Sequence, residues 1–75
     1  MTEPRLVDAR GHVCPTPSLR LMKAMDGAPP GTVFVLLATD PMARIDVPYL
    51  MNQKNGRLLD IQEVEGVIRL TVQTG

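Results

Sequence analysis

Thr32-Val33-Phe34-Val35-Leu36-Leu37-Ala38, followed at once by Thr39-Asp40-Pro41, is the stretch on which the fold turns. A continuous β-branched and aliphatic run without a charge reads as a strand buried on both faces, and such a strand belongs in the middle of a sheet. Asp40-Pro41 reads as a helix start, because the aspartate side chain accepts an otherwise unpaired N–H and proline at the first helical position sacrifices no hydrogen bond. A central strand leading straight into a helix points to an α/β fold.

Upstream, Gly27-Ala28-Pro29-Pro30-Gly31 breaks the chain. Before it, residues 15–26 carry Ser18, Leu21, Met22 and Met25 on one face at helical spacing, with Arg20 and Lys23 elsewhere, which predicts an amphipathic helix. Arg5-Leu6-Val7-Asp8-Ala9 reads as a short first strand ended by the Arg10-Gly11 turn. Downstream, the second helix starts at Asp40; Pro48 should kink or restart it, with Asp46 as a second cap, Asn55-Gly56 is its stop signal, and the whole is read as one bent helix. Residues 58–64 and 67–73 read as strands joined through Glu65-Gly66, a two-residue spacing that favours a hairpin. The order is βαβαββ, and its strand-helix-strand opening implies a parallel pair. The fold class expected is a two-layer α/β sandwich: a four-stranded mixed sheet with two helices on one face, in a single domain spanning residues 1–75.

The 75 residues allow one core, since a chain of this size buries only about 60% of its unfolded surface. A hydrophobic content of 44% suits a folded monomer or weak oligomer. With no Trp, one Phe and one Tyr, the core must be aliphatic, and methionines 22, 25, 42 and 51 are read as its gap fillers. Eight basic residues balance eight acidic ones, which argues against nucleic acid as the main partner. The longest apolar run, residues 33–38, is far short of the about 20 residues a membrane helix needs. The N-terminal residues show no secretory signal, and a lone cysteine fits a reducing cytoplasm.

Chemistry concentrates in Arg10-Gly11-His12-Val13-Cys14-Pro15-Thr16-Pro17. With Cys14 as N-cap, Pro15 and Pro17 become the first and third helical residues, where proline is tolerated. They also delete two amide donors, leaving Thr16 N–H to face whatever sits on the cap. A thiol there feels the positive end of the helix dipole, which favours the reactive thiolate and would equally favour a persulfide anion. Arg10 could add charge. The plain alternative is a cysteine buried as a small hydrophobe. One Cys and one His are too few for a zinc site, so His12 is read as an exposed loop residue that can tune the thiol. Asp40, Pro41, Asp46 and Pro48 are explained by capping and bending, and Glu63 and Glu65 by a solvated strand face.

Leu6-Val7-Asp8-Ala9-Arg10-Gly11 followed by Cys14-Pro15-Thr16-Pro17, and then Pro30-Gly31, Asp40-Pro41 and Asp46-Val47-Pro48, resemble in order and spacing the TusA/SirA-like sulfur-carrier family over nearly the whole chain. The resemblance implies a βαβαββ sandwich and a catalytic role for Cys14. That role is to accept sulfane sulfur as a persulfide from a cysteine desulfurase or a rhodanese and pass it to a downstream acceptor protein. Such exchange needs no metal or organic cofactor. Family members serve tRNA thiolation, molybdenum cofactor maturation, sulfur oxidation or selenium metabolism. His12 departs from the family's usual aliphatic residue, and no later cysteine is present. Two other readings compete. One is a binding or regulatory module with an inert Cys14, possibly touching RNA, since the βαβαββ order is also similar to the C-terminal domain of translation initiation factor three. The other is a thiol redox protein, against which the absence of Cys-x-x-Cys speaks.

Overall fold

The computed structural model describes residues 3–13 and 15–75. Its elements follow the expected order: β1 (Arg5–Ala9), α1 (Thr16–Met25), β2 (Val33–Ala38), α2 (Ala43–Gln53), β3 (Arg57–Val64) and β4 (Val67–Gln73). They form one four-stranded sheet in the order β1-β2-β4-β3, with β1 and β2 parallel and the other pairs antiparallel. The uncharged run at β2 therefore does occupy an interior strand.

Alternation along the strands explains the layering. Phe34, Leu36 and Ala38 of β2 and Ile68, Leu70 and Val72 of β4 are buried on one face, where they meet Leu21 and Met25 of α1 and Ala43, Val47, Leu50 and Met51 of α2. Full burial of a large aliphatic or aromatic side chain contributes about 1.5–3 kcal/mol, so this one layer supplies most of the driving force. The opposite face carries no helix. Val35 is covered there by its neighbours, while Val33 and Leu37 are half-buried, so β2 is less completely enclosed than its composition suggests. In β3 a bulge between Leu58 and Asp60 turns both Leu58 and Ile61 toward the core, which is why the strand's polarity alternates only in part.

The turns obey their backbone chemistry. Glu65 and Gly66 both have positive φ, 51° and 80°, as a two-residue type I′ hairpin requires. At the end of α2, Asn55 and not Gly56 takes the left-handed conformation, with φ 60°. Gly56 N–H closes the helix on Met51 O at 2.8 Å and Asn55 N–H bonds Asn52 O, the paired bonds of a Schellman end. Gly56 is glycine for space: a Cβ there would lie 2.6 Å from the Gln73 carbonyl oxygen and against Met51 Cε.

Two expected helix details are corrected. Helix α2 runs unbroken through Pro48, so Asp46 lies in its first turn and does not cap a second start. The formal start is also later than Asp40. Residues 40–45 are wound by i→i+3 bonds, from Ala43 N–H to Asp40 O, Arg44 N–H to Pro41 O and Ile45 N–H to Met42 O, before the first α-type bond from Asp46 N–H to Met42 O. Asp40 still does the expected work, its Oδ1 accepting Met42 N–H at 3.0 Å. No helix is long and apolar enough to cross a membrane among the described residues.

Candidate functional site

Because β1 and β2 are parallel and in register from Arg5↔Phe34 to Ala9↔Ala38, both end at one edge of the sheet. The loops into α1 and α2 leave from that edge, and the carboxyl ends of parallel strands are where such sheets place their sites. Val64, at the end of β3, lies at the same edge, since Ile68 pairs with both Glu63 and Ala38.

Cys14, the predicted catalytic residue, lies outside the described residues, so the site is built from its neighbours. Asp8, last but one in β1, accepts Arg10 N–H at 3.1 Å, Arg10 Nε–H at 2.9 Å and Arg10 Nη2–H at 2.8 Å. These charge-assisted bonds, the side-chain ones foremost, hold the Asp8 carboxyl down at about 2. The Arg10 guanidinium is thereby committed to Asp8, and the loop's candidate cation is already paired. Gly11 adopts φ 83°, a glycine conformation, and its N–H is donated to Thr39 Oγ1 at 2.9 Å. His12 is half-buried and donates its backbone N–H to Ala9 O at 3.2 Å.

The helix start differs from the expected one by a residue. Pro15 is the N-cap (φ −96°, ψ 13°), Thr16 the first helical residue and Pro17 the second, buried against the sheet. Proline suits positions 15 and 17 because neither requires an N–H. Thr16 N–H is also not left for a ligand: it bonds Val13 O at 2.9 Å. The first turn of α1 holds no acidic residue, so the positive end of this helix carries no carboxylate of its own.

Around this edge stand apolar side chains in water. Val13 is 71% exposed, Met42 44%, Ile45 63% and Val64 67%. Sequence reasoning took Met42 for core filler. It lies in the turn ahead of α2, and the side facing the sheet is taken by Ala43 and Val47. The Arg44–Glu63 ion pair, 2.7 Å, ties the start of α2 to the end of β3 beside these residues. Glu63 is thus not merely solvated, although an exposed pair of this kind contributes only about 0–1 kcal/mol. A groove of about 510 Å³ lies at the other end of the molecule, between the C-terminal halves of the helices, lined by Leu19, Met22, Met25, Met51 and Lys54. Among the described residues, no cluster of three or more His, Cys, Asp or Glu is placed to hold a metal ion.

A loop and helix start at the carboxyl edge of a parallel strand pair, in a βαβαββ two-layer sandwich, are the features that the comparisons with known proteins match. The family model described as Sulfurtransferase TusA matches residues 5–74, and the chain belongs to this family of sulfur carrier proteins. It is 37% identical over 68 residues to a candidate sulfur carrier protein of Archaeoglobus fulgidus, covering 89% of this chain and 88% of that one. It is also 37% identical over 60 residues to the sulfur carrier protein TusA of Pseudomonas fluorescens, covering 80% of this chain and 72% of that one. The crystal structure of a SirA-like protein from Desulfitobacterium hafniense superposes with a TM-score of 0.81 at 28% identity, covering 93% of this chain and 96% of that one.

Proposed function

We propose that Cys14 is the sulfur-bearing residue of this carrier. Its thiolate attacks the outer sulfur of a donor persulfide, one S–S bond forms as another breaks, and the donor leaves as a thiolate. The departing donor thiolate takes up the proton of the new Cys14 persulfide, which is left as the anion, and a downstream thiolate repeats the exchange. No net oxidation occurs, so neither metal nor organic cofactor is required. The observation that carries this reading is the start of α1 directly after Cys14, a helix end with no carboxylate in its first turn, which favours an anion brought by the cysteine. Arg10 acts here through Asp8, as a brace of the loop, and not as a free cation facing sulfur.

The partners proposed are a cysteine desulfurase or a rhodanese as donor and a second protein as acceptor, meeting the apolar rim of Val13, Met42, Ile45 and Val64. A reducing, cytoplasmic setting suits a lone thiol in this role. The test is intact-mass spectrometry without reductant after incubation with a cysteine desulfurase, cysteine and pyridoxal phosphate. Wild type should gain sulfur that a reducing thiol removes, and Cys14→Ser should gain none. No gain by folded wild type with several competent donors would end the carrier reading and favour a binding module with an inert cysteine.

A further inference from the structure

We infer that Thr39 is a positioning residue for Cys14, acting through the backbone of the loop between β1 and α1. The inference rests on the carrier role proposed for Cys14. Thr39 Oγ1 accepts Gly11 N–H at 2.9 Å, a contact between residues 28 apart in sequence. Thr39 is exposed, so its side chain is not there to fill the core. It follows directly on β2, which is hydrogen-bonded to strands on both sides, and so offers a fixed acceptor. The Ala9↔Ala38 register brings the loop alongside it.

Gly11 supplies the other half of the contact. Nothing lies within 4 Å of where a Cβ would stand, so glycine is there for its φ of 83°, not for space. That conformation carries its N–H away from the loop's own turn and toward the second crossover. The neighbouring amides are spent locally, Arg10 N–H on Asp8 and His12 N–H on Ala9 O, while Thr16 N–H bonds Val13 O. Among the described residues, the Gly11–Thr39 bond is therefore the hydrogen bond that fastens the loop to the β2–α2 connection. The other hydrogen bonds of residues 10–13 and 16 among the described residues run within the loop or to its own strand. A thiol at a helix start gains from the dipole only while held within the first turn, since the effect fades beyond that distance. On the carrier reading, which sets Cys14 at that helix start, a looser loop weakens the gain.

The test compares the full chain as wild type, Thr39→Val, Thr39→Ala and Thr39→Ser. Three readouts are taken: exchange of the Gly11 amide by NMR, alkylation of Cys14 by iodoacetamide as a function of pH, and the rate and endpoint of persulfide loading from a cysteine desulfurase. Thr39→Val and Thr39→Ala should keep the wild-type fold and exchange Gly11 faster. They should alkylate about 2- to 10-fold more slowly at neutral pH, the range one net hydrogen bond spans, with a raised thiol pKa, and reach the same sulfur endpoint more slowly. Thr39→Ser, which keeps the acceptor, should restore all three. Unchanged alkylation in both Val and Ala variants, or no rescue by Ser, overturns the inference. Should wild type take up no sulfur while the alkylation pattern holds, the carrier reading fails and Thr39's hold on the thiol stands.

Discussion

Helices α1 and α2 begin at the same edge of the sheet, each with proline at its start, yet the two starts are finished differently. At α2 the carboxylate of Asp40 accepts Met42 N–H, and Asp46 adds a second negative charge in the first turn. At α1 no side chain caps the helix and no acid occupies the first turn. Asp8, at the end of the preceding strand, is paired with Arg10. One helix end is thus neutralised from within, while the other carries its positive pole beside a cysteine. Two ends built from the same topology thus differ in charge, and on the carrier role proposed for Cys14 the open one is the end that receives an anion.

Three perturbations would break or sharpen this contrast. The largest effect is expected from Asp40→Ala, which removes the cap of α2 and should lower stability by about 1 kcal/mol in chemical denaturation. It should leave Cys14 alkylation near the wild-type rate, and a marked change would mean that the two starts are not independent. Next comes Thr16→Glu, which gives α1 the acid it lacks. Helix stability should rise by about 0.3–1 kcal/mol while Cys14 alkylation at neutral pH slows by about 2- to 5-fold. Stability and reactivity moving in the same direction would refute the competition for the helix pole. The smallest effect concerns Asp8. Its folded pKa of about 2 lies below its ordinary 3.8, so the Asp8–Arg10 contribution is present in full above the ordinary value and disappears as pH falls through the folded one. Wild type should therefore exceed Asp8→Asn in stability by a constant margin at neutral pH that closes as pH approaches about 2. The margin is small because both partners are exposed, and a margin that persists in strong acid would argue against the ion pair as its source.

The fold was largely legible because its signals are local. An uncharged run marked the interior strand, Asp40-Pro41 and Asn55-Gly56 bracketed the second helix, and Glu65-Gly66 set the hairpin. The errors share one cause. Asp46 was expected as a second cap beside Pro48, but α2 is one helix, as read, and does not restart: Val47, Leu50 and Met51 on either side of Pro48 are buried, and that packing outweighs the lost bond. The helix start at Pro15 instead of Cys14, and the commitment of Thr16 N–H to Val13, depend on how a turn closes in space, which residue types alone do not specify. Of the site, Cys14 and its prolines were visible in the chain, whereas Thr39 was not. A threonine after a strand carries no signal until a parallel partner sets its hydroxyl opposite a glycine amide.

By itself, the sequence determined the element order, the two-layer class, the single thiol and its place just ahead of two prolines at a helix start. These follow from hydrophobic period, turn chemistry and the conformational limits of proline and glycine, all of which act within a few residues. Only the tertiary structure decided that Arg10 serves Asp8, that Thr39 holds the cysteine loop, and that Met42 joins Val13, Ile45 and Val64 in an exposed rim. Those pairings join side chains from separate elements, and strand register, a property of the whole sheet, chooses which of them meet.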